Sequence, residues 1–216
     1  TLIRGFGTFP KLIDAAPAQG LILRGVTLRR AQVGIESIGG YAEITLEDVR
    51  VEDCDRGLRV QTTGVFGSYV VDLARCVFER CDTGASLGGF EVGTGALTVR
   101  DCAFLECAYA GLHIDPSGDS YTTHEIERTR FERCWAGVLD DSYQQFPPTI
   151  VLRDSVLARC WSGALLYDAD LDARGTTVTG CAWRGLSSSS SYSIVGSLTG
   201  CIVWDNGSDL HPAYAW

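Results

Sequence analysis

The stretch Leu73-Ala74-Arg75-Cys76-Val77-Phe78-Glu79-Arg80-Cys81-Asp82-Thr83-Gly84 decides the fold, because its pattern returns along the chain. The template is an apolar residue, two variable positions, a small residue, one variable position and a second apolar residue. Two more variable positions, a cysteine, a short variable stretch and a glycine complete it. It recurs as Leu23-Val26-Leu28-Ala31-Gly34, Leu46-Val49-Val51-Cys54-Gly57 and Val99-Cys102-Phe104-Cys107-Gly111. Ile126-Thr129-Phe131-Cys134-Gly137, Leu152-Ser155-Leu157-Cys160-Gly163 and Ala173-Thr176-Val178-Cys181-Gly185 continue it, and Leu198-Cys201-Val203-Asn206 closes it. Successive repeat glycines lie 22 to 27 residues apart. A period of that length marks a stacked repeat architecture.

Within each unit the apolar positions alternate with charged ones such as Glu47, Arg50, Glu52, Arg75, Glu79 and Arg100, which is the period of a strand and excludes a helix. One unit cannot bury its inner face alone, so units must stack as coils about 4.8 Å apart, with equivalent side chains in ladders. The reading is an all-β chain: a single-domain right-handed parallel β-helix solenoid of about eight or nine coils, spanning residues 1–216. Cys54, Cys81, Cys107, Cys134, Cys160 and Cys181 share one repeat position and should form a buried ladder, with Cys76 and Cys102 as a second, shorter one. No cysteine spacing gives a paired zinc signature.

The pattern resembles the right-handed parallel β-helix repeat of the pectin-lyase-like superfamily, with cysteine in place of most of an asparagine ladder that Asn206 alone retains. That resemblance implies a solenoid whose outward strand face after each repeat glycine forms a cleft. It spans lyases, hydrolases, epimerases, adhesins and inert modules, so it speaks for fold more than for function. Asp115-Pro116-Ser117-Gly118-Asp119 resembles the Asp-Pro-x-Asp motif of β-helical mannuronan epimerases, one residue longer and without its histidine. Asp140-Asp141 resembles the paired aspartates of polygalacturonases, without the Gly-His-Gly that follows them there.

Composition narrows the partners. The net charge of −9, with seventeen arginines and Lys11 as the sole lysine, argues against nucleic acid, which needs a basic face. No run approaches the roughly 20 apolar residues of a membrane-spanning helix. The chain holds no methionine, and Thr1 falls inside a repeat, pointing to a piece processed or excised from a longer protein.

Counting from each repeat glycine, the residues two and four places on should face outward: Arg59 and Gln61, Ser86 and Gly88, His113 and Asp115, Leu139 and Asp141, Leu165 and Tyr167. His113, Asp115, Asp141 and Tyr167 then fall on three neighbouring rungs within roughly 10 Å, with Asp119, Tyr121, Tyr143 and Asp168 near in sequence. They combine a base or acid with carboxylates and are the catalytic candidates. Asp115, Asp119 and Asp141 supply the oxygen ligands that calcium takes, the one cofactor the sequence suggests. Tyr109, Trp135, Trp161 and Trp183 should align along one edge as a platform for sugar rings, with Arg59 as a further substrate contact. Three functions stay open: an extracellular or cell-surface module interacting with a polysaccharide or cell-surface glycan, a polysaccharide lyase, C5-epimerase or hydrolase, and a spacer without ligand.

Overall fold

The computed structural model describes residues 1–4, 10–15, 20–63, 67–90, 95–117, 122–141, 148–167, 169–188 and 196–212. Among them the chain is all strand and turn, wound as a right-handed parallel solenoid. Each coil runs through three strands, as in Ser68–Ala74, Val77–Glu79 and Thr83–Phe90, which join sheets of eight, nine and nine strands respectively. All pairings are parallel and in register, so Val51, Phe78, Phe104, Phe131, Leu157 and Val178 form one inward ladder. Phe78, Phe104 and Phe131 stack at 5.0 Å between ring centroids with planes 5° apart, and none is exposed.

Sequence spacing counts eight or nine equal coils. The coils are not equal: about six, those carrying Cys54 to Cys181, have a fully buried interior. Leu21, Leu23 and Val26 before them, and Leu198, Cys201 and Val203 after them, are only partly buried, because an end coil has a stacking neighbour on one side only.

Two sharp corners set the cross-section. Each needs one residue in the left-handed region, and twelve of these among the described residues are not glycine, with φ between 45° and 59°. The first corner runs Gly25, Asp48, Arg75, Asp101, Arg128, Asp154, Gly175, Gly200, and the second Arg30, Asp53, Arg80, Glu106, Arg133, Arg159, Gly180, Asp205. Charges alternate along much of both columns and pair between coils: Arg75 Nε to Asp48 Oδ1 at 2.8 Å, Arg128 Nε to Asp101 Oδ1 at 2.7 Å, Arg80 Nε to Asp53 Oδ1 at 2.7 Å, and Arg133 to Glu106 at 2.7 Å.

The residue after each left-handed one points inward and is small. At the second corner this is the expected cysteine ladder, buried from Cys54 to Cys181, and all nine cysteines of the chain carry free thiols. The Asn206 amide ends that ladder, its Oδ1 accepting from the Cys181 backbone N–H at 2.9 Å while Nδ2 donates to the Val178 carbonyl at 3.2 Å.

The repeat glycines form a column of their own. A Cβ on Gly84 would lie 2.5 Å from the Gly111 carbonyl oxygen and 2.7 Å from Phe104 Cδ1, so close approach of neighbouring coils, not backbone conformation, demands glycine there.

Candidate functional site

The strands after the repeat glycines, Arg56–Thr62, Thr83–Phe90, Ala110–Ser117, Ala136–Asp140 and Ser162–Leu166, lie side by side. Pairing places Arg59, Ser86, His113, Leu139 and Leu165 in one outward row, and Gln61, Gly88 and Asp115 in the next. The middle strand carries small residues, Thr83, Ser86 and Gly88. The strand before it carries Arg56, Arg59 and Gln61, and the strand after it Asp115, His113 and, just ahead of it, Tyr109. Large side chains flanking small ones on a flat sheet make a trough, and this one has a volume of about 530 Å³.

On one wall Arg59 is held on both sides. Its Nη1 donates to Glu36 Oε1 at 3.0 Å and its Nη2 to Gln61 Oε1 at 2.6 Å, and Lys11 Nζ reaches the same Glu36 at 3.2 Å. Much of the Arg59 charge is therefore offset within the wall. Arg56 makes no ion pair with any described residue and leaves an open guanidinium at the trough. The glycine-based count skips it, because it stands one residue before Gly57.

The other wall is built on a contact between an imidazole and a carboxylate. His113 Nε2 lies 2.8 Å from Asp141 Oδ1, with His113 mostly covered and Asp141 about one third exposed. With the carboxylate as acceptor, Nε2 is the donor of this contact. Asp115 stands at the open side of the wall. Desolvation first, and then the charge of Asp141, hold its carboxyl above the ordinary carboxylate range, against the opposing effect of His113. The Tyr109 ring meets His113 edge-on at 5.6 Å between centroids. Its phenol is pushed up by desolvation first, then by Asp141, Tyr167 and Asp115, so it remains a donor.

The structure thus brings His113, Asp115 and Asp141 together, and adds Tyr109, which the sequence assigns only to the aromatic edge. Tyr167 reaches the margin of this group. It packs on an external apolar cluster of Ala110, Ala136, Leu139 and Leu165. Leu139 and Leu165 do face out of the solenoid, yet they are only 2% and 1% exposed because this cluster covers them. They form a dry shoulder beside the trough and not part of its floor. Asp140 is separated from Asp141 by strand alternation: it turns into the solenoid and is fully buried, so the two aspartates share no site.

The aromatic edge exists, with Tyr109, Trp135 and Trp183 each 37% and Trp161 47% exposed. One face of each ring is covered by a neighbouring ring, however. Tyr109 stacks on Trp135 at 5.6 Å with planes 6° apart, and Trp161 on Trp183 at 6.3 Å and 28°. The Arg184 guanidinium lies 3.8 Å above the Trp183 ring. Asp119, the third calcium ligand expected from sequence, lies outside the described residues, as do Tyr121, Tyr143 and Asp168. Among the described residues no three His, Cys, Asp or Glu side chains converge on a metal position. No helix of the described chain is long and apolar enough to cross a membrane.

No protein-family model matches this chain, and no curated protein matches it.

Proposed function

We propose that the trough between Arg59 and His113 binds a carbohydrate, and that the chain is an extracellular or cell-surface module that holds a polysaccharide or cell-surface glycan along its strand face. The observation that carries this reading is the trough itself. A row of small residues, Ser86 and Gly88, is walled by arginine and glutamine on one side and by tyrosine, histidine and aspartate on the other. Hydroxyl-rich rings need many fixed donors and acceptors in a shallow concave strip, and this set supplies both. The stacking of Tyr109 on Trp135 and of Trp161 on Trp183 moves the reading away from a platform of free rings and toward hydrogen bonding in the trough. Calcium is not needed for it.

A second reading rests on the 2.8 Å contact between His113 and Asp141. An imidazole oriented by a carboxylate, beside an aspartate held toward its protonated form, is an acid–base pair suited to a hydrolase, lyase or epimerase. In that reading His113 Nδ1 takes the proton, Asp141 orients the ring, and Asp115 delivers a proton.

The test is a panel of neutral and uronate-containing oligosaccharides, titrated against the chain and against Ser86→Arg, with and without calcium. Binding by the parent that is lost when the trough is filled supports the proposal. New reducing ends, unsaturated uronyl products or altered C5 configuration would select the second reading. No binding of any member of the panel overturns both and leaves a spacer.

A further inference from the structure

The two corner ladders use sulfur differently. At the second corner six thiols follow one another, so each inner one has a thiol on both sides. At the first corner the order is Val49, Cys76, Cys102, Thr129, Ser155, set by the pairing of the strands that follow, and sulfur adjoins sulfur only between Cys76 and Cys102.

Hydrogen bonding does not require sulfur at this corner. The Cys102 backbone N–H donates to Thr129 Oγ1 at 3.4 Å, and that of Thr129 to Ser155 Oγ at 3.2 Å. The hydroxyls in turn donate to the carbonyls of Glu127 at 3.0 Å and Arg153 at 2.8 Å. Cys102 fills the same role, accepting from the Cys76 N–H at 3.3 Å and donating to the Arg100 carbonyl at 3.2 Å. A hydroxyl serves equally well, so the adjoining sulfurs call for a separate account.

Equivalent residues on adjacent rungs sit about 4.8 Å apart, inside the roughly 4.4–6.8 Å Cα separation that a disulfide spans. The Cys102 sulfur lies 3.3 Å from the Cys76 backbone nitrogen, and the strands that follow the two cysteines pair in register. We infer that Cys76 and Cys102 are a modification site: a low-molecular-weight disulfide of the glutathione class converts them into one disulfide that staples successive coils.

The chemistry balances within the pair. The Cys76 thiolate attacks the reagent's sulfur–sulfur bond, which breaks and releases one glutathione thiolate. The Cys102 thiolate then attacks the Cys76 sulfur of the mixed disulfide and releases the second. One sulfur–sulfur bond forms and one breaks. Two electrons pass to the reagent, and the two thiol protons end on the departing glutathiones.

The environment sets the order of attack. The bond from Cys102 holds the Cys76 thiol below its ordinary range, while Cys102 is pushed up, by that bond first and by burial second. Cys81, Cys134 and Cys160 of the second corner are poorer nucleophiles: burial pushes Cys81 up to about 12, and bonds to the neighbouring thiols Cys107 and Cys134 lead in pushing Cys134 and Cys160 up to about 12. Cys76 and Cys102 are themselves buried, so reaction passes through opening of the corner and is slow.

The staple has a place in the trough. The Cys76 coil carries Ser86 and Gly88, and the Cys102 coil carries Tyr109, His113 and Asp115, so the bond would fix floor to wall.

The experiment incubates the folded chain in glutathione buffers of increasing oxidising ratio, traps free thiols by alkylation, and maps cross-links by mass spectrometry. The expected result is loss of two of the nine thiols, a single Cys76–Cys102 link, and a rise in Tm that reductant reverses. Cys102→Ser, which retains the hydroxyl acceptor of this ladder, should form no protein cross-link under the same conditions, Cys76 stopping at its glutathione mixed disulfide. Cys102→Thr, with the Thr129 side chain, serves if the serine variant does not fold. First links within the Cys54 to Cys181 ladder, or Cys76 and Cys102 unlinked at the most oxidising ratio, would overturn the inference.

Discussion

His113 Nε2 and Asp141 Oδ1 meet at 2.8 Å on a diagonal: the backbone partner of His113 is Leu139, and Asp141 reaches back from two residues further on. The contact ties successive coils at the trough wall. A hydrogen bond to a charged group contributes about 1.5–3 kcal/mol. Replacing Asp141 by Asn should therefore weaken glycan binding about tenfold, or abolish turnover if the second reading holds. Unfolding free energy should change by less than about 1 kcal/mol, because the pair is partly exposed. Titration calorimetry and denaturant melts on the variant measure the two effects separately, and an unchanged affinity would remove the dyad from the site.

His124 sets a pH dependence remote from the trough. It faces inward between Leu97 and Ile150, is fully buried, and burial pulls its pKa down to about 4. The Tyr69 ring stacks on it at 6.4 Å, and burial together with Asp140 keeps that phenol protonated. Because the folded value lies below the unfolded one near 6.5, this contribution to stability is complete above that pH. It is lost as pH falls from about 6.5 to 4. The loss is about 3 kcal/mol. His124→Leu should flatten this part of the pH profile in equilibrium denaturation, and an unaltered profile would place the titration elsewhere.

Phe104 is the middle ring of three. Phe104→Ala should cost about 3–5 kcal/mol, the range for emptying a buried aromatic position. Phe104→Leu should lose less, since Leu157 occupies the same ladder beyond Phe131. Urea unfolding of both variants gives the comparison, and equal losses would mean that the ring stack, not the filled volume, carries the stabilisation.

Two glycines should respond unequally. Gly84→Ala drives a methyl into the Gly111 carbonyl and Phe104, a misfit costing about 1–3 kcal/mol or more. Gly25→Asp should cost less than about 1 kcal/mol, although Gly25 has φ of 59°, because its Cβ meets open space and Asp48 holds the same corner one coil on. Thermal melts decide it, and a more harmful Gly25→Asp would reverse the reasoning.

The register was legible because Cys, Gly and apolar spacings repeat, and inward and outward faces follow from alternation. The corners were legible too in principle, since an Asp, Arg, Glu or Gly precedes each small ladder residue, but Arg and Glu carry no sign of the left-handed backbone that Gly and Asp favour. Local counting failed where a third dimension enters. Arg56 stands before its glycine and falls outside the outward count. Leu139 and Leu165 obey the count yet are buried, because Ala110 and Ala136 in an adjoining row leave space for apolar packing on the outer surface. Tyr109 reaches His113 from a corner, a contact that no spacing within a strand encodes.

The alternating charges at the corners act as a parity check on winding. Repeats this alike invite a nascent coil to dock one rung out of place, because Leu, Val and Phe recur along one ladder. Shifting by one rung brings arginine against arginine and aspartate against aspartate wherever the sign alternates. A correct stack is thus distinguished from its nearest misfolded competitor on the outside of the molecule, by groups that add little to the stability of either.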